Sequence, residues 1–112
     1  MKKLFFFFLF LLLLPVSFAA DNDISINKAV IYKNEACGHC VIYLDEVIPF
    51  LIDKGFNVEQ KNLINDVAAR TELDSIIKNK QIPAELQGHM VTVINDNLIL
   101  EGHVPFDVIT NL

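Results

Sequence analysis

Basic residues are scarce in this chain: nine Lys and Arg stand against fourteen Asp and Glu, for a formal net charge of -5. A domain with that balance repels phosphate backbones, which argues against a nucleic-acid partner. No internal repeat, low-complexity tract or interdomain linker follows the apolar N-terminus. The length leaves room for one small domain with one core, not two. Tryptophan is absent, and cysteine occurs only twice, as Cys37 and Cys40. A bridge between those two closes a tiny loop and restrains the unfolded chain far less than a long-range bridge does. A purely structural or adaptor role therefore explains them poorly.

What the chain does have, at its start, is Met1-Lys2-Lys3, an uninterrupted Leu/Phe run from Leu4 to Leu14, a break at Pro15, and the small residues Ser17 and Ala19. The apolar run is shorter than the roughly 20 residues a spanning helix needs. A charged start, a short apolar stretch and a small-x-small site together make a secretory signal peptide. The expected division is a signal peptide at 1–19, cleaved after Ala19, and one domain at 20–112 with no stable membrane anchor after cleavage. No cysteine directly follows that site, which speaks against a lipoprotein. Loss of Lys2 and Lys3 leaves the remainder still more acidic. Outside the cytosol, two nearby cysteines can persist as a disulfide.

Both cysteines belong to Cys37-Gly38-His39-Cys40. The apolar run Ala29-Val30-Ile31-Tyr32 precedes this motif, within a strand expected over Lys28 to Tyr32. A helix is expected from about Gly38 to Lys54, with Gly55 just past its end. Ile42, Val47, Ile48, Leu51 and Ile52 are its expected core stripe, with Asp45, Glu46, Asp53 and Lys54 in water. Pro49 should kink or divide that helix. Phe56 to Lys61 reads as a second strand. Asn65 is the expected cap of a second helix over about Asp66 to Lys78, burying Val67, Leu73, Ile76 and Ile77. One helical turn is expected at Ala84-Glu85-Leu86. Met90 to Ile94 and Leu98 to Leu100 then form a hairpin around Asn95-Asp96-Asn97. Pro105 opens a short last helix running to Leu112.

The order β-α-β-α-β-β-α, with a CxxC between the first strand and first helix, resembles the thioredoxin fold. That resemblance implies an α/β domain with a four-stranded mixed sheet and helices on both faces. It also implies that strand three runs antiparallel beside strand one. His89 and Met90 then approach Cys37 and Cys40, and His103 returns to the same edge at the end of strand four.

Two chemistries fit these atoms. In one, Cys37 is the nucleophile that attacks a disulfide of a redox partner protein, and Cys40 is the resolving thiol. Cys37 at the helix N-terminus has backbone N–H groups and the helix dipole to favour its thiolate. His39 between the cysteines would make the disulfide more oxidising when cationic. In the other, Cys37, Cys40, His89 and Met90 hold a soft metal ion, with His39 and His103 as accessory ligands. Thiolate and thioether together select copper as Cu(I), whereas a Met ligand does not suit zinc. A Cys–His hydrolase fits poorly, because the neighbouring cysteine competes by forming a disulfide and no acidic orienter is evident. An enzymatic role thus hinges on the first chemistry.

The tetrapeptide Cys37-Gly38-His39-Cys40 is similar to the active site of protein disulfide isomerases. Those enzymes carry Trp where Ala36 stands, and a cis-proline where Gly88-His89 stands. A second resemblance covers nearly the whole domain. Val30-Ile31-Tyr32-Lys33, Gly55-Phe56-Asn57-Val58, Ile82-Pro83-Ala84-Glu85-Leu86 and, most specifically, Glu101-Gly102-His103-Val104-Pro105 resemble domain of unknown function family 411. These are small exported thioredoxin-like proteins associated with metal, especially copper, handling. The resemblance implies a periplasmic location. His39 stands where the family commonly has a further cysteine, and Gly88-His89-Met90 where it has a Cys-His pair.

Overall fold

A computed structural model describes residues 27–111. The expected signal peptide at 1–19 and the start of the expected domain lie outside the described residues, as does Leu112. The elements are β1 (Lys28–Lys33), α1 (Gly38–Asp53), β2 (Asn57–Asn62), α2 (Val67–Lys80), a 3-10 turn at Ala84–Leu86, β3 (Met90–Ile94), β4 (Leu98–Glu101) and α3 (Phe106–Thr110). The sheet order is β2-β1-β3-β4. β1 and β2 run parallel, whereas β3 lies antiparallel to both β1 and β4. This mixed sheet with three helices is a thioredoxin-like α/β fold.

Strand alternation splits the core in two. Ala29, Ile31, Met90, Ile94 and Leu100 face one way and pack with Cys40, Leu44, Val47 and Leu51 of α1 and Ile109 of α3. Val30, Tyr32, Val91 and Val93 face the other way and pack with Ala69 and Leu73 of α2. The central strands β1 and β3 are buried on both faces, so they read as continuous apolar runs. β2 is an edge strand and stays largely polar and exposed. Among the described residues no helix is long and apolar enough to cross a membrane.

Helix α1 departs from its expected register. Its buried stripe is Cys40, Leu44, Val47 and Leu51, the spacing of one helical face. Ile42 is 64% exposed and Ile52 58% exposed, because two residues from Cys40, or one from Leu51, is a large rotation off that face. Pro49 does not divide the helix, which runs unbroken through it; the buried residues on either side hold both halves against the sheet. The helix ends as the sequence implies. Gly55, at φ 88, supplies the left-handed residue, and the N–H groups of Gly55 and Phe56 donate to the carbonyls of Ile52 and Leu51, the two bonds of a Schellman end.

Helix α2 is capped one residue later than expected. Asp66, not Asn65, is the N-cap, and its Oδ1 accepts from Ala69 N–H at 3.0 Å. A cap side chain accepts from the second or third helical amide, and here it is Asp66 that bonds the third. Val67 is consequently first in the helix and 65% exposed rather than buried. The β3–β4 turn forms where expected, with Asn95 and Asp96 both at positive φ, as a type I′ turn requires.

Candidate metal and redox site

Cys37 is the N-cap of α1 and is half-buried, and Cys40 lies one turn in and is 2% exposed. Asn34 shapes the approach: its side-chain Oδ1 accepts from Ala36 N–H and its carbonyl from Cys37 N–H. This places Cys37 at the N-terminal opening of the helix, where N–H groups without carbonyl partners favour negative charge on sulfur. The two cysteines form a disulfide with Cα atoms 5.3 Å apart.

A cleft of about 540 Å³ opens over the disulfide. Cys37, His39 and Cys40 line it from α1, Gly88, His89 and Met90 from the start of β3, and Gly102 and His103 from the end of β4. The antiparallel ladders bring these segments together: Lys33 pairs with Met90, and Val91 with Glu101. Two hydrogen bonds tie the arms, from Gly102 N–H to the Met90 carbonyl at 2.8 Å and from Gly88 N–H to Glu101 Oε2 at 3.1 Å. Gly102, at φ 71, turns the chain from β4 towards His103.

The candidate residues occupy this cleft unequally. A donor atom of His103 and the sulfurs of Cys37 and Cys40 lie within 4.8 Å of one another, and His103 Nε2 is 3.4 Å from Cys40 Sγ. His89 lines the cleft from the opposite arm, exposed and outside that close set. His39 is exposed at the rim. Met90 is 1% exposed and belongs to the α1 core as well as to the cleft wall. His103, read from sequence as an accessory, is therefore the histidine held closest to the sulfurs.

Sequence reasoning missed the residue that orients it. Tyr43, one turn beyond Cys40 on α1, stacks on His103 with ring centroids 4.8 Å apart and planes 7° from parallel. Its hydroxyl donates to the Val104 carbonyl at 2.8 Å. Burial pushes the Tyr43 phenol above its ordinary pKa, so it remains a neutral donor at physiological pH. Phe50, two turns further along α1, stacks on Phe106 at 5.1 Å. The spacing of Cys40, Tyr43 and Phe50 was the available signal, but which segment lies over them is a tertiary fact. Pro83 caps the 3-10 turn at Ala84–Leu86 and does not line the cleft.

No protein-family model and no curated protein matches the chain. Among solved structures, the domain is similar to a copper resistance protein, copG (Form 2), with a TM-score of 0.50 and 22% sequence identity. The match covers 77% of this chain and 60% of that one, so the chain corresponds to only part of the other protein's length. At that identity the likeness speaks for the shared fold.

Proposed function

We propose that this protein binds a soft metal ion, copper as Cu(I), as cargo in the cleft over α1. Cys37, Cys40 and His103 would hold it, with His89 and Met90 assisting and His39 at the rim. The observation that carries the reading is the convergence of two sulfurs and one imidazole donor within 4.8 Å. That donor set suits Cu(I), for thiolates are soft ligands and imidazole is compatible with copper. The fold shared with a copper resistance protein favours copper among the soft ions. Binding needs the reduced pair, because the sulfurs that would hold the ion are those joined in the disulfide. Titration of the reduced protein with Cu(I) against a competing chelator tests this. The expected affinity is well above that of a free dithiol; an affinity no better than a free dithiol overturns it.

One observation favours a second reading, thiol–disulfide exchange. Cys37 is the more exposed of the two cysteines, at the helix N-terminus, and Cys40 is buried one turn further in, which suits Cys37 as attacking and Cys40 as resolving thiol. Insulin reduction that is lost in Cys37→Ser would support this; inactivity of the intact dithiol across glutathione poises would reject it. For either role we place the protein outside the cytosol, in a periplasm, on the leader pattern of residues 1–19. Mass spectrometry of the exported form should find a chain beginning at Ala20.

A further inference from the structure

We propose that Tyr43 is a positioning residue that sets the redox poise of the Cys37–Cys40 pair by holding His103 against Cys40. The proposal rests on the preceding reading only in requiring that the pair cycle between disulfide and dithiol. One side chain fixes His103 in two ways. The Tyr43 ring lies parallel to the imidazole at 4.8 Å, which fixes the ring plane. The Tyr43 hydroxyl holds the next carbonyl, that of Val104, which fixes the backbone. The result is an imidazole on an exposed loop residue whose Nε2 is nevertheless 3.4 Å from a buried sulfur. Ordering an otherwise free ring costs conformational entropy, and the stack and the hydroxyl bond offset it.

The chemical consequence follows from the two states of Cys40. On reduction by glutathione, two glutathione thiols supply two electrons. The protein S–S bond breaks, glutathione disulfide forms, and the two thiol protons pass to the protein sulfurs or to water. The Cys40 sulfur released in this step is a stronger hydrogen-bond acceptor than the disulfide sulfur it came from, most of all as thiolate. With its proton on Nε2, His103 donates to that sulfur and stabilises the reduced form, which makes the disulfide more oxidising. A freely rotating imidazole would give little of this effect.

The test is the equilibrium of the purified protein with glutathione buffers at pH 7, or with dithiothreitol buffers if the pair lies lower. His103→Ala should shift the equilibrium towards the disulfide by about tenfold, roughly 30 mV for a two-electron couple. Tyr43→Leu should shift it several-fold the same way, Tyr43→Phe should retain most of the native value, and Tyr43→Leu added to His103→Ala should change nothing further. An unchanged equilibrium in Tyr43→Leu, or full additivity in the double variant, overturns the proposal. If Tyr43→Leu does not fold, proton NMR of the native protein decides. Ring current from Tyr43 should displace the His103 ring protons upfield of those of His39 and His89, and absence of that displacement overturns the proposal. Failure of Cu(I) binding alongside these shifts removes the copper reading alone, and intact Cu(I) binding without them removes the role of Tyr43 alone.

Discussion

His103 Nε2 lies 3.4 Å from Cys40 Sγ, joining residues 63 positions apart in the chain. The contact exists because β4 returns along β3 to the edge where β1 delivers the cysteines. Gly102 then turns the backbone, and α3 settles on α1 through Phe106 and Phe50. It also ranks the three histidines, since His39 and His89 face the same cleft without belonging to the close donor set.

That ranking predicts unequal effects on metal affinity. His103→Ala should weaken Cu(I) binding by about tenfold or more, the scale on which metal sites respond to loss of even an outer-shell partner. His89→Ala should cost less and His39→Ala least. Chelator competition on the three reduced variants checks the order, and equal losses would show that all three histidines contribute alike.

The register of α1 predicts where truncation hurts. Leu51→Ala, at a residue 1% exposed in the core, should destabilise by about 2–5 kcal/mol. Ile42→Ala, at a residue 64% exposed, should stay within about 0.5 kcal/mol of the native protein. Urea unfolding of both measures the contrast, which would reverse if Ile42 were the core residue.

The cap of α2 makes a paired prediction. Asp66→Ala should cost about 0.5–2 kcal/mol, because Ala69 N–H loses its acceptor. Asn65→Ala should cost little. Thermal or urea unfolding separates the two, and a larger loss at Asn65 would assign the cap there.

On the opposite face of the sheet, Glu72 accepts from Lys61 Nζ at 2.6 Å and from the Tyr32 hydroxyl at 2.7 Å. These bonds, with Lys61 the larger cause, hold the Glu72 carboxyl below its ordinary pKa. The folded-state value is depressed, so the associated stability is present above the unfolded value and is lost as pH falls through the folded one. Glu72→Gln should therefore be less stable than the native protein near neutrality, and the difference should vanish in acid below the carboxylate range. The pair is solvent-exposed, so the gap should be no more than about 1 kcal/mol. Unfolding midpoints across an acid pH series test this; a gap that persists at the lowest pH would assign the loss to packing.

Much of the architecture was legible locally. The apolar run at Ala29–Tyr32, Gly55 at the helix end and the turn at Asn95-Asp96 each act within a few residues, through burial, a left-handed φ and turn geometry. They suffice for the element order and for placing Cys37-Gly38-His39-Cys40 where a strand opens into a helix. Packing and hydrogen-bond geometry decided what such signals leave open. Ile42 and Leu44 are equally apolar, and only contact with the sheet chooses Leu44. Asn65 and Asp66 are both good caps, and only the reach to Ala69 N–H chooses Asp66.

The same division holds at the site. By itself the sequence determined that two sulfurs lie at a helix N-terminus and that three histidines and Met90 are candidates to join them. Only the tertiary structure decided that His103 comes nearest, under the ring of Tyr43, while Met90 sinks into the core. The physical reason is that CxxC chemistry depends on a spacing of three residues, which a single helical turn enforces. The approach of His103 depends on strand pairing and aromatic stacking between segments about 60 residues apart, and neither is written in any local stretch of chain.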